Sequence, residues 1–160
     1  MIFYLFRVFP INDRKIVIAN FGGKGYGSEG KAIADRIMEA RNDLDIVWLV
    51  RNPDEKLPKG IRGIKFASIK AIYEQVTAKV WIDNRRKPGY VRKRRGQYYI
   101  HTWHGGGPCL KWVENDASDT LPREYIEYAI NDSKMANLMV SGSDWRTKNM
   151  RDSFWYDGEI

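Results

Sequence analysis

The chain has 160 residues, 43% of them hydrophobic, enough for a core of its own and too many for wholesale disorder. A formal charge of +7 favours anionic partners (nucleic acid, acidic lipid or a phosphate-rich substrate) without choosing between them. Cys109 is the only cysteine, which excludes an intrachain disulfide and fits a reducing cytoplasm.

Met1 to Ile11 (MIFYLFRVFPI) is apolar but interrupted by Arg7 and Pro10. It is too short to span a bilayer, and no small-residue cleavage site follows it. Residues 1–14 therefore read as a buried first strand or a domain-packing arm, with shallow membrane contact as the alternative. Lys15 to Asn20 reads as a buried strand, and a glycine-rich loop, Phe21 to Gly27, follows. Ser28 is placed to cap a helix through Arg41 with Ala32, Ile33, Ile37 and Ala40 on one face. Ile46 to Val50 is a second strand, and Ile64 to Phe66 a short third. Ser68 is placed to cap a helix with Ile69, Ile72, Tyr73 and Val76 turned inward. Lys79 to Asp83 is a strand, a basic loop runs to Gly96, and Gln97 to Thr102 is the next strand. Pro122 suits the start of a helix to Met135 that carries Tyr125, Ile126, Ala129 and Ile130. Leu138 to Ser141 reads as a strand, and Ser143 as the cap of a last helix reaching Phe154.

Strands alternate with helices almost throughout, so residues 15–160 are expected to form one α/β domain, a Rossmann-like parallel sheet with helices on both faces. Ligands of such sheets bind beyond the C-terminal strand ends. The loops at 21–28, 84–96 and 102–108 are therefore the places to look for chemistry.

Both histidines of the chain lie in Ile100-His101-Thr102-Trp103-His104-Gly105-Gly106-Gly107-Pro108. A histidine at a strand end can meet a ligand and move a proton, and the glycines let backbone approach a phosphate or sugar. A tight turn around a hydrogen-bonded structural histidine fits the same pattern. His101 falls on the opposite strand face and reads as structural. Two histidines supply too few ligands for zinc, so no metal or other cofactor is expected. Asn20 to Ser28, with Gly23, Lys24 and Gly25, leads into a helix N-terminus, where amides and the helix dipole can hold an anion; a flexible turn is the equal alternative. It has neither Walker nor dinucleotide-fingerprint spacing. Arg85, Arg86, Lys87, Arg92, Lys93, Arg94 and Arg95 crowd one loop on the expected ligand edge. They suit an anionic membrane surface or a phosphate polymer. No helix-turn-helix, RNP or zinc-finger pattern appears, so nucleic acid is the rival rather than the expectation. Cys109 reads as a packed thiol rather than a nucleophile.

The stretch TWHGGGPCLKW, 102–112, resembles the TWHG…P-L-K signature of the CDP-glycerol:poly(glycerophosphate) glycerophosphotransferases, which build teichoic acids and related capsular polymers. NFGGKGYGSEGKAI, WIDNRR and the stretch from Pro122 to Ile160 are similar to family segments in the same order. The chain departs where many members have glutamine in place of His101, and HGTP in place of the run through Gly106, Gly107 and Pro108.

The resemblance implies the N-terminal half of a GT-B fold and transfer of polyol phosphate from CDP-glycerol to a hydroxyl of a growing, lipid-linked polymer. It makes His104 the catalytic base. Trp103, Gly105, Gly106, Gly107, Lys111, Gly23, Lys24, Gly25 and Ser28 would be substrate contacts. It implies a cytoplasmic enzyme, peripheral on the inner membrane face, whose donor contacts come mostly from a second domain. Since the chain stops at Ile160, it is expected to be inactive alone. The alternative is a non-catalytic module that binds anionic polymer, membrane or nucleic acid.

Overall fold

The runs from Ile16 to Ala19 and from Ile46 to Val50 are apolar at every position, a pattern that suits strands covered on both faces. The computed structural model, which describes residues 2–105 and 121–160, places them at the centre of a six-stranded parallel sheet. Its strands are β1 (Asn12–Ala19), β2 (Asp45–Val50), β3 (Ile61–Lys65), β4 (Ala78–Asp83), β5 (Tyr98–His101) and β6 (Leu138–Met139), in the order β3-β2-β1-β4-β5-β6. This is the doubly wound order in which connections run outward in both directions from β1 and β4. The crevice beyond those two strand ends is the expected ligand position.

Helix α1 (Ile2–Leu5) continues into a 3₁₀ turn (Phe6–Val8). Helix α2 spans Ser28–Ala40, α3 Ile69–Thr77, α4 Arg123–Met135 and α5 Asp144–Ser153. One face of the sheet buries Ile16, Ile18, Ile46, Trp48 and Ile82 beneath α2. The other buries Val17, Leu49, Trp81 and Tyr99 beneath α3 and the end of α4. Two helix starts behave as their sequences require. Ser68 accepts a bond from the Ala71 amide, and Ser143 one from Arg146, each satisfying a donor the helix itself leaves free.

Several expectations are corrected. Ile2 to Val8 is helical, not a strand, and β1 starts at Asn12, inside the stretch read as an arm. Phe3 is buried in the core, while Phe6 and Phe9 meet Tyr73 of α3 edge-on. Ser28 does not cap α2: Gly27 holds the cap position, and Ser28 has φ of 57° with its hydroxyl bonded to Glu29. Ala32 and Ala40 face outward; the buried stripe of α2 is set by Gly30 and Ala34. A Cβ on Gly30 would come within 3.2 Å of Ile18 and Trp48, so this turn of the helix lies directly on the sheet. Ile69 is exposed, and its expected inward place is taken by the charged Glu74, paired with Lys15 and Arg62.

The connection from β4 to β5 contains no helix. It must nevertheless return from the C-terminal to the N-terminal edge of the sheet, because the two strands are parallel. The seven cations at 85–95 therefore do not share one surface. Arg85, Arg86 and Lys87 stay at the C-terminal edge. Arg94 bonds the carbonyls of Phe9 and Val76, and Gln97 those of Gln75, Val76 and Ala78, which fixes residues 94–97 at the N-terminal edge.

Candidate functional site

Beyond β1 and β4 the chain places Asn20 and Asn84, both buried. The Asn84 side-chain amide donates to Asn20 Oδ1 at 2.7 Å and its carbonyl oxygen accepts from the Phe21 amide at 2.8 Å. Asn20 in turn donates to the carbonyls of Lys24 and Gly25. One amide pair thus joins the two strand ends and shapes the glycine-rich loop. Asparagine suits this place because one side chain both donates and accepts.

The loop passes close beneath its neighbours. Gly22, Gly23 and Gly25 all have positive φ, and a Cβ on Gly23 would lie 2.8 Å from Phe66 and 3.0 Å from the Arg51 amide. The glycine at 23 is thus required by contact with the ends of β2 and β3. Lys24 projects to solvent and Gly25 is partly covered, its carbonyl accepting from Trp48 Nε1.

His104 sits in the crevice, half-buried. Its Nδ1 lies 2.5 Å from the Asn84 carbonyl oxygen. A carbonyl only accepts, so Nδ1 carries the proton and Nε2 keeps a lone pair. Phe21 meets the imidazole edge-on with ring centres 5.4 Å apart, and Trp103 packs against it at 4.5 Å. The ring is therefore held in one tautomer and orientation with one nitrogen able to take a proton.

The turn presenting it is itself braced. Trp103 has φ of 57°, unfavourable for a side chain of that size. Its amide donates to His101 Nδ1 at 3.0 Å, which puts the His101 proton on Nε2, facing buried Asp132 Oδ2 at 3.4 Å. Asp132 Oδ1 also accepts from the Lys87 amide and the Tyr99 hydroxyl. Burial, and then the Asp132 charge, push the Tyr99 phenol well above its ordinary pKa, so it stays a donor. The Trp103 indole packs on Phe154, with the Arg86 guanidinium over both rings. Trp103, expected to contact substrate, is instead largely occupied in holding His104.

Arg86 is corrected as well. Expected at a membrane or polymer surface, its side chain is 2% exposed and donates to the Ala129 carbonyl and Ser133 hydroxyl, 3.9 Å from Asp132. Lys87 is buried against Asp83 at 2.6 Å. Arg92 bonds the carbonyls of Gly89 and Val91, Lys93 bonds Asn137, and Arg95 is exposed, all away from His104. Of the loop's cations, Arg85 alone is both exposed and beside the crevice. Gly105, with φ of 83°, follows His104 in the open. Gly106, Gly107, Cys109 and Lys111 lie outside the described residues. Sequence reading passed over Asn20, Asn84, Arg51 and Asp132. The available signal for the asparagines was an amide side chain directly after each of two strands that meet at the reversal of the sheet.

Residues 1–160 match the family described as CDP-Glycerol:Poly(glycerophosphate) glycerophosphotransferase. The chain belongs to that family. It is 28% identical to a teichoic acid poly(glycerol phosphate) polymerase of Staphylococcus epidermidis, over 93% of this chain and 21% of that protein. A polymerase of the same description from Bacillus spizizenii is 24% identical, over 98% of this chain and 41% of that one. A solved structure of the wall teichoic acid polymerase TagF superposes with a TM-score of 0.86 at 24% identity, covering 99% of this chain and 42% of that one. A variant of it soaked with CDPG gives 0.84 at 25% identity, over 94% and 38%. The chain thus has the fold of the corresponding part of TagF and spans less than half the length of the relatives it matches. Among its described residues no helix is long and apolar enough to cross a membrane.

Proposed function

We propose that this domain is the acceptor-side half of an enzyme that transfers glycerol phosphate from CDP-glycerol to the terminal hydroxyl of a polyol-phosphate chain, with His104 as general base. The observation that carries this is the His104 ring at the reversal of the sheet, held through Nδ1 by the Asn84 carbonyl so that Nε2 is the nitrogen left to take a proton. In the step, Nε2 takes the acceptor hydroxyl proton as its oxygen bonds to the phosphorus bearing glycerol. The bond from that phosphorus to the bridging oxygen breaks, and CMP leaves with the electron pair. Alignment of donor and acceptor supplies several kcal/mol of such a barrier. The chain spans less than half the length of the relatives it matches, so donor alignment is assigned to a second domain. The test is CMP release from CDP-glycerol. The 160-residue polypeptide melts cooperatively yet releases no CMP above background, and adding a relative's remaining domain in trans or fused restores release. Full release by the polypeptide alone would show that the donor site lies within these loops.

We further infer that the protein meets an anionic membrane through its N-terminal edge. Ile2, Tyr4, Leu5 and Val8 are exposed there, Val8 at 82%. Arg7 bonds the Arg92 carbonyl and Arg94 bonds the Phe9 carbonyl, so apolar and basic groups lie side by side. This combination suits the headgroup boundary, with about 1 kcal/mol for each basic residue near the surface. Flotation with vesicles containing anionic lipid is expected to bind the protein, and high salt or Leu5→Asp with Val8→Asp to release it. Equal binding to neutral vesicles refutes the role of charge, and tighter binding to RNA revives the nucleic-acid reading.

A further inference from the structure

Two arginines from strands on either side of β1 converge over the loop that follows it. Arg51 follows β2 and Arg85 follows β4. Arg51 Nη2 and Arg85 Nη1 lie 3.4 and 3.3 Å from a single point, the place a Cβ on Gly22 would occupy. Arg51 Nε is anchored on the Gly22 carbonyl at 2.8 Å. Among the described residues, neither guanidinium has a carboxylate within 4.0 Å. The contrast with the next two residues is sharp: Arg86 and Lys87 each stand by an aspartate, as buried cations must. Like charges brought together at an exposed rim repel, and an anion between them relieves this. The planar guanidinium fork matches phosphate oxygens in pairs.

Below the pair opens a groove of about 750 Å³ between α3 and α4, lined by Phe3, Phe66, Tyr90, Tyr125 and Tyr128 as well as the two arginines. Its aromatic walls suit the C–H-rich body of a polyol or sugar rather than a second phosphate cluster. The clamp adjoins His104 through both of that residue's supports: Asn84 directly precedes Arg85, and Phe21 directly precedes Gly22.

We propose that Arg51 and Arg85 form a clamp for the terminal phosphodiester of the acceptor, with the polyol body of the chain in the aromatic groove and its terminal hydroxyl delivered to His104. This rests on the acceptor-side reading above and adds to it the residues and ligand class. The shared chemistry, a phosphate, could also come from the donor diphosphate; the clamp is assigned to the acceptor because its groove is lined by this domain's own helices, α3 and α4.

The test is equilibrium binding to the 160-residue chain, by calorimetry or amide shifts, of a glycerol phosphate trimer, CDP-glycerol and uncharged triglycerol. The trimer binds saturably and triglycerol does not. Arg85→Ala and Arg51→Ala each weaken trimer binding about 10–100-fold, the range for losing charge-assisted hydrogen bonds. Arg85→Lys recovers part of the loss, and Arg36→Ala on the far side of α2 has no effect. Melting temperatures check that Arg51→Ala keeps the loop, and Arg85→Ala removes an exposed side chain without that concern. Trimer binding unchanged in a folded Arg85→Ala protein overturns the clamp. So does a loss confined to CDP-glycerol, which reassigns the pair to the donor. CMP release is not read in this assay. Trimer binding by a chain that releases no CMP even when joined to a relative's remaining domain disproves the enzyme reading and leaves the clamp standing; CMP release by the joined protein with no trimer binding disproves the clamp alone.

Discussion

His104→Ala lowers turnover of the assembled two-domain enzyme by roughly 10²–10⁴-fold, the usual share of a positioned general base. The carboxylate at the same strand end, Asp83, is held by the buried Lys87 ammonium and the Arg85 amide. Asn20 and Asn84 are amides already bonded to each other, and the cations nearby, Arg51 and Arg85, accept nothing. The loss falls on kcat with little change in KM for either substrate, since the alanine leaves the glycine loop and the groove intact. His101→Gln is the control. Glutamine can accept from the Trp103 amide and turn its NH2 group toward Asp132, which the imidazole Nε2 faces at 3.4 Å, so the turn persists and turnover stays near normal. Steady-state CMP release measures both. Near-normal turnover without the His104 imidazole removes it as the base and moves proton transfer to water or to another domain.

Glu74→Ala destabilises the fold by about 3–5 kcal/mol, the cost of leaving a buried charge without its partner. Glu74 and Lys15 are 2.7 Å apart with side chains 4% and 7% exposed, and Arg62 reaches the same carboxylate at 3.1 Å. Removing the carboxylate leaves the Lys15 ammonium beneath α3 with only the Thr77 hydroxyl, at 2.9 Å, to accept from it. Adding Lys15→Met recovers most of the loss, because a buried pair is replaced by apolar packing. Burial pushes the Glu74 carboxyl upward, but the bonds from Arg62 and Lys15 outweigh it and hold the group below its ordinary value of 4.5. A carboxylate lowered in the folded state contributes its stability in full above the unfolded pKa and loses it as pH falls through the folded one. Denaturant melts from pH 7 into the acid range should show this decline in the natural protein and a shallower one in Glu74→Gln. A change under 1 kcal/mol for Glu74→Ala means the pair is hydrated in solution.

The layout of this domain could be read from short-range signals. Apolar runs of three to five residues marked the strands at Ile16, Ile46 and Val80, and serines at 68 and 143 marked helix starts within one turn. The alternation of the two implied a parallel sheet, and its connections leave a crevice beyond β1 and β4. The place of His104 just beyond a strand end was legible too, because a histidine before glycines after an apolar run is a local pattern. Local patterns fail where partners lie far apart in the chain. Asn20 and Asn84 are separated by 64 residues, and no periodicity announces that their amides meet. Arg86 looked like one of seven surface cations. It is buried because Ala129 and Ser133, more than forty residues away, turn polar groups toward it. The same loop was read as one basic surface, whereas parallel pairing of β4 with β5 forces it across the whole sheet, so its two ends face opposite edges. Helical periodicity placed Ile33 and Ile37 of α2 correctly but not Ala32 and Ala40, because the stripe that packs is centred where Gly30 lets the helix approach Trp48. Composition and spacing therefore sufficed for the order of the elements and the edge where chemistry lies. The tautomer of His104, the burial of Arg86 and the convergence of Arg51 on Arg85 were decided by packing between distant segments, where the cost of burying an unpaired polar group selects the partner.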